Sequence, residues 1–441
     1  MKVILVENTY PKLIVNKDQM GGYGIGSFQG ESLRTRLVAN LKRGGRRIPL
    51  LTMGYLAAIL KKNAHEVMVY SAEDGQAPGA DLYVIHSSIV ESKYEMAFAA
   101  KIKKANKNSL VGVVGPFASF YPDLYMQEAD FTVKGEPEIL FSTIKEKADI
   151  PKGIVESPEV KDLNELPFPD WDAFDLSRYG YWPILLEKPF VPILSSRGCS
   201  FKCNYCPYIV QYPQWRMRSA ENTVEEIRQM VDRYQVKTFL FRDPLFTQGK
   251  GRAEAIAHGI LDAGLHRKVR WACETRTDLL NEDLIDLLYE AGLRGLNVGV
   301  ESADLTVLKS ANRNQSQVHR ERMIFYAEQK GVKVAAFYVF GLPADTPETI
   351  EGTIEYAKHL NTFAAQFHIN TPFPGTPVYD MYKDSIVETD WEKYNSFTPV
   401  FKHPTMTSGE LTGLREKVYR EYYFRLGYLT KHWSHLMKLA F

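Results

Sequence analysis

Between residues 191 and 369 the chain repeats one pattern six times. Strand-like runs at 191–196, 236–241, 269–273, 296–300, 332–339 and 365–369 alternate with helical stretches such as Val224-x-x-Ile227-x-x-Met230-Val231. A parallel strand pair needs a long crossover, and a helix is the usual one. Six strand–helix units in succession fit a partial barrel, with the sheet inside and the helices outside. Barrels of this kind carry their chemistry at the carboxyl ends of the strands, which fixes where functional residues should be sought.

The end of the first of these strands is the most distinctive stretch of the chain. Ser195-Ser-Arg-Gly-Cys-Ser-Phe-Lys-Cys-Asn-Tyr-Cys-Pro207 holds Cys199, Cys203 and Cys206, three of the four cysteines present. Thiolates crowded on one loop suit a soft metal centre, and three of them would take three corners of a 4Fe-4S cluster and leave one iron open for chemistry. A structural zinc site usually has four ligands in two separated pairs, so a zinc knuckle is the weaker alternative, with a disulfide beside it. The remaining cysteine, Cys273, falls inside a predicted strand and reads as a small buried apolar residue, with hydrogen-atom donation the functional alternative.

Residues 1–150 also alternate strand and helix, with strands expected at 3–6, 66–70, 82–86, 110–114 and 131–133 and helices at 50–61 and 94–104. This order argues for a doubly wound parallel sheet whose ligand crevice lies beyond the carboxyl ends of its strands. Asn8, Ser87, Ser88 and Gly115 stand at those ends, where the plain alternative is ordinary strand-end residues. The first strand is followed by an insertion, residues 9–48, far longer than the usual connection of about 2–6 residues. It contains Gly21-Gly-Tyr-Gly-Ile-Gly26 and the basic run Lys42-Arg-Gly-Gly-Arg-Arg47. Because the glycines neither end a strand nor open a clear helix, dinucleotide binding is the weaker reading and a mobile lid over the crevice the expected one.

Residues 151–190, rich in proline and aromatics, read as an ordered strap between the two units, and 381–441 as a helical tail with aromatic and basic residues. Such a tail packs on its own barrel or rests on a membrane surface. The 441 residues carry a formal net charge of +1, which offers no general case for nucleic acid as a partner. With no apolar run long enough to span a bilayer and no leader-like start, a reducing cytoplasmic setting is expected.

The cysteine spacing, with Tyr205 before the last cysteine, resembles that of the radical S-adenosylmethionine (SAM) enzymes. The order of further phrases, Phe241-Arg-Asp243-Pro-Leu-Phe246, Trp271-Ala-Cys-Glu274-Thr-Arg276, Gly299-Val-Glu301-Ser302, Lys309-Ser-Ala-Asn-Arg313 and Phe340-Gly-Leu-Pro343, resembles the subfamily that includes the anaerobic magnesium-protoporphyrin ester cyclase and cobalamin-dependent methylases. Pro49-Leu-Leu-Thr-Met-Gly-Tyr-Leu-Ala-Ala-Ile-Leu60, Val114-Gly-Pro116 and Lys134-Gly-Glu-Pro-Glu138 resemble the cobalamin-binding domain that precedes many such barrels. The resemblance implies a Rossmann-like, flavodoxin-like cobalamin domain at 1–150, a linker at 151–190, a partial (β/α)6 radical SAM barrel at 191–380 and a helical carboxyl-terminal region at 381–441. It further implies that Cys199, Cys203 and Cys206 hold the cluster, that Asp243, Glu274, Arg276, Glu301, Ser302 and Arg313 contact SAM, and that Asn8, Ser87, Ser88 and Gly115 edge the cobalamin crevice. The cobalt-ligating Asp-x-His-x-x-Gly loop of classical cobalamin domains is absent, so histidine coordination of cobalt is not expected.

The function implied by the resemblance is reductive cleavage of SAM and methylation of an unactivated carbon in a small-molecule or lipid substrate. The electron would come from a reductant such as flavodoxin or ferredoxin. Radical cyclisation, oxidation or carbon–carbon bond formation is the rival on the same scaffold, and a non-catalytic cobalamin or iron–sulfur sensor the rival of another class. A methylthiotransferase would need a second cysteine trio, and no cysteine precedes Cys199.

Overall fold

The computed structural model describes residues 1–10, 15–17, 20–26, 28–43 and 46–440. Its first sheet contains strands β1 (Lys2–Asn8), β2 (Glu66–Ser71), β3 (Leu82–His86), β4 (Leu110–Val114), β5 (Phe131–Gly135) and β6 (Gly153–Ser157). All pair in parallel in the order β2-β1-β3-β4-β5-β6. This is the flavodoxin-like order with one strand added, and its direction of winding reverses between β1 and β3. Every residue of β3 is buried, as expected for a parallel strand covered on both faces. The last strand, β6, lies beyond the boundary at residue 150 and inside the segment read as linker. Its alternation of half-buried and exposed side chains gave that edge strand only a weak sequence signal.

The second sheet holds β7 (Phe190–Ile193), β8 (Thr238–Phe241), β9 (Arg270–Thr275), β10 (Leu293–Glu301), β11 (Lys333–Phe340) and β12 (Ala364–Ile369). Here the spatial order is the chain order, and all neighbours are parallel. Each predicted strand is present, shifted by a few residues at its ends. The helix after β7, Ala220–Tyr234, shows why the chain turns helical there. Ser219 accepts a hydrogen bond from the Asn222 amide as N-cap, Gln235 closes the end in the left-handed region, and Val224, Ile227, Met230 and Val231 bury one face.

The barrel stops at six strands, which would leave β12 as an open edge. The helix Ser408–Tyr423 covers it with tyrosine hydroxyls. Tyr423 accepts from the Ala365 amide at 2.9 Å and donates to the Ala365 carbonyl at 2.6 Å, and Tyr419 accepts from the Phe367 amide at 3.2 Å. The aromatic tail thus packs on its own barrel. No helix among the described residues is long and apolar enough to cross a membrane.

The strap between the sheets is packed. Trp171, Phe174, Tyr179 and Tyr181 are buried, and the Tyr179 hydroxyl donates to Glu7 at the end of β1 over 2.8 Å. Of the insertion after β1, Lys17, Tyr23, Ile25 and Phe28 are buried, whereas Leu33 and Leu37 of the helix that follows are exposed. Gly44 and Gly45 of the basic run, and the side chains of residues 41–46, lie outside the described residues.

Candidate active site

The cysteine loop leaves the carboxyl end of β7 and opens into a cavity of about 240 Å³ in the barrel mouth. Cys199, Cys203 and Cys206 line it together with Tyr205, Arg242, Glu274, Arg276, Glu301 and Arg313. Gly198 turns the chain into this loop at φ +89°, and a Cβ there would lie 2.0 Å from the Gln214 carbonyl oxygen. Only glycine accepts both conditions. No three His, Cys, Asp or Glu side chains among the described residues converge on a single ion. Three thiol-bearing side chains on one loop can each serve a separate iron, so the donor set fits a multi-iron cluster. Burial, and for Cys206 the neighbouring Cys203, raises the pKa values of Cys199 and Cys206, so without a metal they stay thiols. Arg276 donates to Cys203 Sγ at 3.9 Å and stands 4.0 Å over the Phe201 ring, placing a positive charge beside the thiols.

The loop is braced from two sides. Arg197 pairs with Glu136 and with Glu138, both at 2.7 Å, and Arg216 pairs with Glu136 as well. The Gly-Glu-Pro-Glu phrase of the first unit therefore stitches the cluster loop to the first sheet. Burial pushes the Glu136 carboxyl upward, but Arg197 and Arg216 outweigh it and hold its pKa low. On the barrel side Asp243 is fully buried. It accepts from the Ser195 amide and hydroxyl at 2.7 Å each and from the Ser196 hydroxyl at 2.6 Å, with Arg252 at 3.4 Å. Its carboxylate is spent on the root of the loop and does not line the cavity, which corrects its expected contact with SAM.

Glu301 and Arg313 do face the cavity, 3.3 Å apart. The register of β10 against β11 slips between Gly299 and Glu301, and Glu301 sits at φ +63°, an uncommon conformation for glutamate. Arg313 donates to the Gly299 carbonyl at 2.6 Å, and a Cβ on Gly299 would fall 2.3 Å from Glu301 Oε1. Tyr205 and Glu301 overcome burial and raise the Arg313 pKa. Glu274 lines the wall in an ion pair with Arg242. Ser302 points away. Its hydroxyl accepts from the Asp304 amide at 3.1 Å and meets Thr353 at 3.2 Å, a task inside the turn that precedes the next helix, so its expected SAM contact is also corrected. Cys273 is fully buried in β9 and absent from the lining.

At the first sheet, Asn8, Ser87, Ser88 and Gly115 do stand at the ends of β1, β3 and β4, but their polar groups are turned inward. Ser87 accepts from the Ala118 amide at 2.9 Å, Ser88 donates to Glu95 at 3.4 Å, and Asn8 accepts from the Tyr10 amide at 3.0 Å. Lys17 reaches the point where the winding reverses. It donates to the carbonyl of His86, the last residue of β3, at 2.7 Å, and pairs with Glu91 at 3.0 Å and Glu95 at 2.7 Å. The Ile89 amide donates to the Tyr23 carbonyl at 2.7 Å, and the Tyr23 ring is buried against Phe117 and Phe373. As they stand, these four residues do not offer a seat for a corrinoid, because the chain's own Lys17 and Tyr23 occupy the edge above them.

The sequence reading missed the bracing by Arg197, Glu136 and Glu138, and it missed Asn297, His368 and Ser396 in the cavity wall. The inward phase of β10 and β12 could have pointed to Asn297 and His368; nothing local to Ser396 could.

Residues 193–357 match the radical SAM superfamily. An uncharacterized methyltransferase of Pyrococcus horikoshii is 28% identical over 87% of this chain and 89% of its own length. The anaerobic magnesium-protoporphyrin IX monomethyl ester cyclase of Cereibacter sphaeroides is 27% identical over 61% of this chain, which spans only 44% of that relative. Among solved structures, the radical S-adenosylmethionine methyltransferase TsrM of Kitasatospora setae, with cobalamin and a 4Fe-4S cluster bound, superposes with a TM-score of 0.63 at 15% identity, covering 87% of this chain and 74% of that one. At that identity the likeness is one of fold.

Proposed function

We propose that this chain, whose residues 193–357 match the radical SAM superfamily, is a SAM-cleaving C-methyltransferase acting on an unactivated carbon. The observation that carries this reading is the convergence of three cysteines and the Glu301–Arg313 pair on one cavity at the barrel mouth. In this reading Cys199, Cys203 and Cys206 hold a 4Fe-4S cluster. When bound, the cluster supplies the electron that divides SAM into methionine and a hydrogen-abstracting 5′-deoxyadenosyl radical. Arg313, with its planar fork, takes the SAM carboxylate, Glu301 and Glu274 accept from the amino and ribose groups, and Arg276 keeps positive charge beside Cys203. The apolar wall of Ile25, Phe337 and Phe373 excludes water from a reactive carbon.

A corrinoid above the mouth is the second cofactor of the reading, supported by the resemblance of residues 1–150 to cobalamin domains and by the cobalamin-bound TsrM fold. Lys17 and Tyr23 stand over the first sheet's edge, where the corrinoid would lie. The cyclase among the relatives favours radical ring formation as the second reading.

Anaerobically reconstituted protein, reduced with dithionite and given methyl-deuterated SAM, should release 5′-deoxyadenosine and pass deuterated methyl to a substrate. Deoxyadenosine with no methyl transfer to any metabolite would move the assignment to the cyclase-type reaction. No deoxyadenosine at full iron loading would support the sensor. Incubation with hydroxocobalamin and a visible spectrum of the desalted protein tests the corrinoid.

A further inference from the structure

The helix Leu33–Arg43 buries one side and leaves an apolar edge on the other. Thr35, Val38 and Ala39 are buried, and the Thr35 hydroxyl donates to Glu416 of the helix Ser408–Tyr423 at 2.7 Å. The outer side carries Leu33, 84% exposed, and Leu37, 51% exposed, one turn apart, with Arg34 and Arg36 exposed beside them. Arg34 stands 5.7 Å over the ring of Phe424, which brings this helix next to the last one, Leu426–Ala440. There Leu426 is 77% exposed and Trp433 61% exposed, about two turns apart and so on one side of the helix. Three of the four most exposed large apolar side chains among the described residues thus stand on these two helices, the fourth being Val318.

Neither helix contains an aspartate or glutamate, although those residues make up 53 of the chain's 441. The first helix alone holds Arg34, Arg36, Lys42 and Arg43 in its sequence. Acidic groups that border the two helices are paired: Glu31 with Arg415 at 3.7 Å, Glu416 with Arg415 at 3.1 Å and Glu328 with Lys431 at 2.5 Å. A positive field therefore surrounds the exposed leucines, although the whole chain carries only +1.

Single exposed leucines are ordinary on a protein surface, but leucines one turn apart with arginines between them and a tryptophan nearby are the composition of an interfacial helix. A second copy of the same face would bring like charges together. A protein partner would need a pocket shaped for each projecting side chain, whereas acyl chains part around it.

We propose that these two helices form a docking face for an anionic lipid bilayer. Leu33, Leu37, Leu426 and Trp433 enter the headgroup region, and Arg34 and Arg36 meet the lipid phosphates. The attachment is to the surface, since no helix among the described residues is long and apolar enough to cross. It stands apart from the barrel mouth and holds whichever reaction takes place there.

The full-length protein is sedimented with vesicles of phosphatidylcholine alone and with vesicles containing about a third phosphatidylglycerol, at about 0.1 M salt. The anionic vesicles should bind about tenfold more tightly or better, and the difference should shrink as salt rises. Arg34→Gln/Arg36→Gln should weaken that binding about twentyfold, at roughly fivefold for each arginine. Leu33→Ser/Leu37→Ser should weaken it about tenfold or more. Val318→Ser, which removes an equally exposed side chain from a different helix, should bind as the wild type does. Brominated phosphatidylcholine in the anionic vesicles should quench tryptophan fluorescence. Trp433→Phe should remove most of that quenching, because Trp433 alone of the six tryptophans is exposed. Melting temperatures should hold throughout, since every replaced side chain faces solvent. Equal binding to neutral and anionic vesicles, binding to neither, or wild-type binding by the leucine variant would overturn the docking face. A wild-type dimer that the leucine variant breaks, with no vesicle binding, would give the face to a second copy instead.

Discussion

Lys17 Nζ lies 2.7 Å from Glu95 Oε1 with both side chains shielded from solvent, and the pair sits at the reversal point of the first sheet, where a doubly wound fold receives its ligand. Around it, Glu91 accepts from the Thr9 amide and hydroxyl at 2.9 Å each, and Tyr125 donates to Glu95 at 2.5 Å. Burial raises the Glu95 pKa to about 7, with Lys17 pulling against that shift, while Lys17 itself stays charged because its two carboxylates outweigh its own burial. Lys17→Met should therefore leave two buried carboxyls facing each other and destabilise the protein by about 3–5 kcal/mol, read by urea denaturation. The double variant Lys17→Met/Glu95→Gln should recover part of that loss.

Cys203→Ala should abolish deoxyadenosine release. The first sheet shares no ligand with the loop, so far-UV circular dichroism and the melting profile of that unit should hold. Wild-type cleavage by this variant would remove the cluster assignment.

Arg313→Lys keeps a charge but loses the fork that reaches Glu301 and the Gly299 carbonyl together. SAM affinity should fall about tenfold or more, equivalent to about 1.4 kcal/mol, while iron content stays at the wild-type value. A titration of SAM by isothermal calorimetry separates the two.

Asp345 gives a pH signature. Burial raises its carboxyl to about 6 from 3.8, even though it accepts from the Gly341 and Leu342 amides, both at 2.9 Å. The folded state binds this proton more tightly than the unfolded chain, so its stabilising contribution is complete below pH 3.8 and is lost as pH rises through about 6. Asp345→Asn cannot titrate. Between pH 4 and pH 7 the stability difference should shift in favour of the variant by about 2–3 kcal/mol, measured by paired denaturation curves.

Tyr423→Phe should cost about 1–3 kcal/mol by uncovering the Ala365 amide and carbonyl at the barrel's last edge. The variant should also form soluble aggregates on size exclusion, the expected behaviour of an unprotected strand.

The sequence made eleven strands legible because each carries a short run of apolar residues that is buried in a parallel sheet, and several helices between them follow a clear period. β6 escaped, since a half-exposed edge strand has no such run. Cys199, Cys203 and Cys206 were legible for another reason: their roles depend on spacing along one loop. Asp243 and Ser302 were misread because a polar residue at a strand end can serve the cavity or the turn beneath it, and only the partners decide. Lys17 was invisible to the same reading, since its carboxylate partners lie more than seventy residues away in the chain. Ser396 likewise joins the site through folding alone.

The slipped register at Gly299–Glu301 makes the length of β10 a variable of the chemistry. A strand keeps time in twos, so removing one residue there would exchange the inward and outward sets beyond that point. Glu301 would leave the cavity with its chemical identity intact. In this chain the count of residues through the strand therefore matters to the site as much as the identity of Glu301 does.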